Sequence, residues 1–119
     1  MFQKEEIQKT TETIIGPSVK LEGDFNGEGD VIIAGIVLGT LKTLGNLKIL
    51  KTAKINANIN ATNIIISGKI KGNIKALKKI ELTPTAKIFG DIETKTISIA
   101  EGAIFNGKCT MNIEEEKKS

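Results

Sequence analysis

The sequence predicts an all-β, single-domain parallel β-helix of about six coils with disordered tails, and three observations carry that prediction. Two short apolar patterns recur along the chain at nearly constant spacing. Isoleucine is abundant, Trp and Tyr are absent, and Phe occurs only four times, so a core must come from many small branched side chains in a narrow interior. No segment carries a 3.6-residue apolar stripe, and no regular series of Asn-Gly or Asp-Gly turns separates the apolar runs.

The first pattern is apolar-x-small-x-apolar. It appears as Leu21-Gly23-Phe25, Val37-Gly39-Leu41, Ile55-Ala57-Ile59, Ile70-Gly72-Ile74, Ile88-Gly90-Ile92 and Phe105-Gly107-Cys109, with starts separated by 16, 18, 15, 18 and 17 residues. The second, apolar-x-apolar, follows as Val31-Ile33, Leu47-Ile49, Ile64-Ile66, Ile80-Leu82, Ile97-Ile99 and, more loosely, Met111-Ile113. Period-two alternation marks strands with one buried face, and branched Ile suits extended chain. Repeats this short leave no room for a crossover helix. Each repeat is therefore one coil whose strands pair in parallel with their equivalents in the next, giving a rod of roughly 29 Å for six coils. The small residue between two apolar ones is expected to face inward and keep that side of the coil thin.

The alternation bounds the ordered part at 14–113. Residues 1–13 are mostly polar without alternation and 114–119 are a charge run, so both read as disordered tails. Within the core, Asn56, Asn58, Asn60 and Asn63 fall on outward positions and are expected to form ladders or turns.

Charge and composition remove whole classes of function. The net charge is +3, yet every basic residue is Lys. Nucleic-acid recognition leans on Arg forks and aromatic stacking, and a solvated lysine surface is the simpler reading, with no nucleic-acid partner. His is absent, so the usual acid–base and nucleophilic arrangements cannot be assembled. A single Cys excludes an internal disulfide and a multi-cysteine metal site. The expectation is no catalytic residue, no metal and no cofactor. Cys109 shares a column with inward residues and is expected to be a buried thiol. Without a secretory signal or an apolar run of about 18 residues, the chain is expected in the cytoplasm.

The repeat series, the opening Ile14-Ile15-Gly16-Pro17-Ser18-Val19 and the run Leu21-Glu22-Gly23-Asp24-Phe25 together resemble the bactofilins, over about residues 14–110. The start Met1-Phe2-Gln3-Lys4 is similar to the short membrane-targeting segment of many members. The resemblance implies a right-handed coil and nucleotide-free assembly into non-polar filaments joined through like ends. It also implies a role in cell shape or in placing other proteins at the inner face of the cell membrane. The implied partners are further copies of the chain, the membrane surface through Met1, Phe2 and Lys4, and cell-wall or client proteins.

Two alternatives compete. Hexapeptide-repeat acyltransferases are left-handed β-helices, and a six-residue rhythm runs through Ile64, Ile70, Ala76, Leu82 and Ile88. It breaks at Asn58 and Thr94, and those enzymes use a His that this chain lacks. The other alternative is a monomeric solenoid that docks a partner on one face. Against it, a solenoid must cover its terminal coils, and no amphipathic helix is available for either end. The candidate polymer contacts are therefore Val19, Leu21 and Phe25 on the first coil, and Ile104, Phe105 and Met111 on the last. Phe105 stands out as an aromatic closing an aliphatic column.

Overall fold

The computed structural model describes residues 12–111. The proposed membrane contacts Met1, Phe2 and Lys4, the run 114–119 and Ile113 lie outside the described residues. Within them the chain forms thirteen strands and no helix. The first six are β1 (Glu12–Ile15), β2 (Lys20–Gly27), β3 (Asp30–Ile33), β4 (Ile36–Thr43), β5 (Asn46–Ile49) and β6 (Lys54–Ile66). They are followed by β7 (Lys69–Lys71), β8 (Ile74–Leu82), β9 (Lys87–Phe89), β10 (Ile92–Thr94), β11 (Thr96–Ile99), β12 (Ile104–Asn106) and β13 (Cys109–Met111). Thr13 and Glu12, which alternation alone assigns to the tail, pair with Val31 and Asp30.

Every strand pairing is parallel, and the strands wind into a solenoid with three faces. The first face stacks the opening halves of β2, β4 and β6, then β7, β9 and β12. The second stacks the closing halves of β2 and β4, the middle of β6, the start of β8, then β10 and β13. The third stacks β1, β3, β5, the ends of β6 and β8, and β11.

The registers coincide with the repeat alignment. Leu21 lies opposite Val37, Val37 opposite Ile55, Ile55 opposite Ile70, Ile70 opposite Ile88, and Ile88 opposite Phe105. The second pattern stacks likewise, from Val31 through Leu47, Ile64 and Ile80 to Ile97. Central members of these columns are almost wholly withdrawn from water, among them Val37, Leu47, Ile64, Ile70, Ile80 and Ile88. Each such side chain contributes about 1.5–3 kcal/mol.

The larger differences in repeat length come from the corners between the third and first faces, and a one-residue register shift between Ala61 and Asn63 adds to them between the second and third. Long corners are four-residue turns, in which the Val19, Ala53, Ala86 and Ala103 amides donate to the Gly16, Leu50, Thr83 and Ala100 carbonyls at 3.0–3.1 Å. Both prolines, Pro17 and Pro84, take the second position of such a turn, where a fixed φ near −65° fits. Short corners, at Ala34-Gly35 and Ser67-Gly68, nest inside the long turn of the preceding coil. A Cβ on Gly68 would run into the Leu50 and Ala53 carbonyls, so close approach dictates glycine there.

The small residues of the first pattern play a different part from the expected one. Ala57 does face inward and is buried. Gly39, Gly72 and Gly90 instead mark the bend between the first and second faces, with φ of 119°, 136° and 145°. A Cβ on Gly90 would strike the carbonyl of Gly72 one coil below. Backbone conformation and coil-to-coil contact, not interior thickness, select glycine.

Outside the core, the Asn63 side chain donates to the Asn46 side chain at 2.9 Å, and the Asn46 amide donates to the Asp30 carboxylate at 2.9 Å. These bonds form an outward ladder on the third face. The Asn73 amide donates to the Asn58 side chain at 3.4 Å on the second face.

Candidate assembly interface

A solenoid interior repeats until the chain runs out, so its ends expose what every other coil hides. At the first end, β1 and β2 each pair on one edge only among the described residues. Leu21 and Phe25 pack on the core but remain partly exposed, whereas Val37 and Leu41, next in their columns, are fully buried. Val19, in the turn ahead of β2, is 45% exposed, and Ile14, on β1, is 67% exposed. Ile14 points outward over Ile32.

At the other end, β11, β12 and β13 each pair on one edge only among the described residues. Phe105 lies opposite Ile88 and packs on the core while staying partly exposed. Ile104 lies opposite Lys87, points outward and is 46% exposed. The two are thus neighbours in sequence on opposite sides of the wall, and only Phe105 closes the interior. Met111 lies opposite Thr94, which is buried, yet Met111 itself is 47% exposed because no coil follows among the described residues.

The structure adds residues that the candidate set omits. Ile97 and Ala103 pack on the core from the last coil, and Ile99 is 50% exposed. The signal was present in the repeat alignment, since Ile97-Ile99 is the last full copy of the second pattern and so tops its column. Side chains such as Ile99 and Met111 retain about half of the ~1.5–3 kcal/mol that complete burial would yield. Unpaired parallel edges add a second drive to associate.

Cys109 corrects an expectation. It continues the column of Ile74 and Ile92 but is exposed, because column membership buries a side chain only when another coil covers it. Its residual contact with the core desolvates the thiol and holds its pKa above the ordinary cysteine value. Among the described residues, no group of three or more His, Cys, Asp or Glu could hold a metal ion.

Residues 13–110 match the family model described as Bactofilin, polymer-forming cytoskeletal. The chain belongs to the bactofilin family. Bactofilin BacN of Myxococcus xanthus is 55% identical over 100 residues, covering 84% of this chain and 88% of the relative. Bactofilin BacO of the same organism is 35% identical over 103 residues, covering 87% and 82%. Among solved structures, Thermus thermophilus bactofilin in double helical filaments superposes with a TM-score of 0.80 at 28% identity, over 84% of this chain and 99% of that one. The cytoskeletal bactofilin BacA, solved by solid-state NMR, gives 0.78 at 25% identity, over 87% and 98%. The bactofilin assignment turns the two open ends into the natural place to look for the polymer contact.

Proposed function

We propose that this chain is a non-enzymatic cytoskeletal scaffold whose rods join through like ends into non-polar filaments without nucleotide or metal. The observation that carries the reading is the burial gradient within single columns. Val37 and Ile88 are fully buried, while Leu21 and Phe105, the terminal members of the same column, are not. End-to-end contact would cover Leu21 and Phe25 at one joint, and Ile97, Phe105 and Met111 at the other, and would pair the free edges there. Val19 and Ile104 lie at the rims of those joints.

The filament is further proposed to lie at the inner face of the cell membrane, holding cell shape or placing client proteins. Met1, Phe2 and Lys4 are the tail contact. One buried Phe yields only ~1.5–3 kcal/mol, so a single tail binds weakly, and many tails along one filament bind far better through effective concentration.

Negative-stain microscopy of the full chain at physiological salt tests the polymer. Filaments are expected with or without ATP, GTP, divalent ions or a chelator. Discrete rods of one subunit's length, or filaments that need nucleotide or metal, contradict the proposal.

A further inference from the structure

The three faces of the rod differ in how their charges are arranged. On the second face Asp24, Asp91 and Glu93 are interspersed with Lys42, Lys75 and Lys108, and on the third Asp30 and Glu81 with Lys48 and Lys79. The first face is one-sided. Lys54, Lys69 and Lys87 stand directly above one another on successive coils, all exposed. Lys71 projects from the same face, and Lys51 sits in the turn ahead of Lys54, where a shallow groove is lined by Lys51, Lys54, Lys69 and Lys87. The acids on this face and its corner turns lie towards the two ends of the rod: Glu22 on β2, paired with Lys20 at 3.9 Å, and Glu101 in the last turn. None of the stacked lysines has an ion-pair partner among the described residues.

Stacking like charges one coil apart, about 4.8 Å, is unfavourable in a sheet. Outward columns elsewhere on the rod avoid it with Asn, Thr or mixed signs, so this face retains a cost that an external anion would relieve. Its other outward residues are mixed, with Asn56 next to Lys71 and Asn106 next to Phe89 among apolar side chains. Ile36 is 37% and Ile104 46% exposed, and Leu38 and Phe89 are partly exposed. A sheet face carrying an ammonium row flanked by isoleucine and phenylalanine suits a headgroup layer, where lysines reach phosphates and apolar side chains settle beside their stems. Nucleic acid fits less well, because the chain has no Arg for phosphate forks and this face offers one aromatic.

We propose that the Lys54–Lys69–Lys87 face docks on an anionic lipid surface, as a second contact beside the N-terminal tail. The inference rests on the membrane reading given above and names the surface of the folded rod that serves it. End-to-end growth would repeat the face along the filament and multiply its charge.

The test is co-sedimentation of the full chain with phosphatidylcholine vesicles containing phosphatidylglycerol, against pure phosphatidylcholine. Lys54→Gln/Lys69→Gln/Lys87→Gln is compared with Lys42→Gln/Lys48→Gln/Lys75→Gln, which removes equal charge from the other faces. Each lysine at the surface is expected to be worth about fivefold, so the first variant should bind anionic vesicles about a hundredfold more weakly. The second should lose only a few-fold, and both should still form filaments. Thermal unfolding of the first variant should come no earlier than that of the native chain, since a repulsive stack has been removed. Native-like vesicle binding by the first variant overturns the inference and leaves the tail as the sole contact. Equal losses in both variants overturn it in favour of net charge. Loss of duplex DNA binding with vesicle binding intact reassigns the face to nucleic acid. Failure of the native chain to bind anionic vesicles removes the membrane reading itself.

Discussion

Replacing Phe105 with arginine separates a side chain that plugs its own coil from one that seals a joint between rods. Phe105 lies over Ile88 and remains partly exposed at the end of the core. In a free rod the arginine head can turn into water along that open end, so the fold loses only about 1–2 kcal/mol of packing. In a joint between like ends, two guanidinium groups would be brought together and desolvated. That costs several kcal/mol, and about 4 kcal/mol corresponds to roughly a thousandfold weaker association. The assay pairs sedimentation and electron microscopy with far-ultraviolet circular dichroism. The expected product is a soluble monomer or dimer with an unchanged β signal. Filaments of native length at the native assembly concentration would place the contact away from Phe105, and collapse of the β signal would make Phe105 a plug for its own coil.

Three further outcomes are expected. Gly90→Ala forces a side chain onto φ 145° and into the Gly72 carbonyl, at about 1–3 kcal/mol or more, seen as a drop of several degrees in the unfolding temperature. Ala57→Gly in the same column should cost only ~0.5–1 kcal/mol, and equal losses would refute the corner role of Gly90. Because partial burial raises the Cys109 pKa, less of it is thiolate at a given pH than in a free cysteine. The midpoint of its iodoacetamide reactivity should therefore lie above that of a model thiol, and a midpoint at or below it would contradict the desolvation. Deleting residues 1–6 should weaken co-sedimentation with anionic vesicles about tenfold or more and spare filaments, and Lys4→Glu should weaken binding most at low salt. Unchanged vesicle binding after the deletion removes the tail anchor.

The sequence is unusually legible where residues repeat and opaque where they do not. A parallel solenoid places like on like, so the alignment of Leu21, Val37, Ile55, Ile70, Ile88 and Phe105 is at once a list of stacked neighbours. The alignment alone leaves Ile104 and Phe105 one residue apart as alternatives, and the register of Ile104 on Lys87 and of Phe105 on Ile88 decides for Phe105. The glycine column misled, since Gly90 occupies the same repeat position as the inward Ala57 but adopts a backbone that an alanine would strain to reach. Cys109 misled for another reason. Repeat position specifies direction, while burial needs a neighbour above, and the last coil has none among the described residues. Among the first five turns, Pro17 and Pro84 mark long corners and Gly35 and Gly68 short ones, but their meaning depends on how one turn nests in the next.

Joining through like ends is the central claim, and the lone Cys109 offers a direct probe of it. Cys109 lies in β13 on the last coil and is exposed, and the chain contains no second cysteine. Adding a flexible bis-maleimide as subunits assemble, before a joint covers the thiol, can therefore link only one Cys109 to another. If last coils meet last coils, denaturing gels should show a covalent dimer and nothing larger. If rods instead joined head to tail, each Cys109 would face a first coil without a thiol, and intact filaments would yield only monomer.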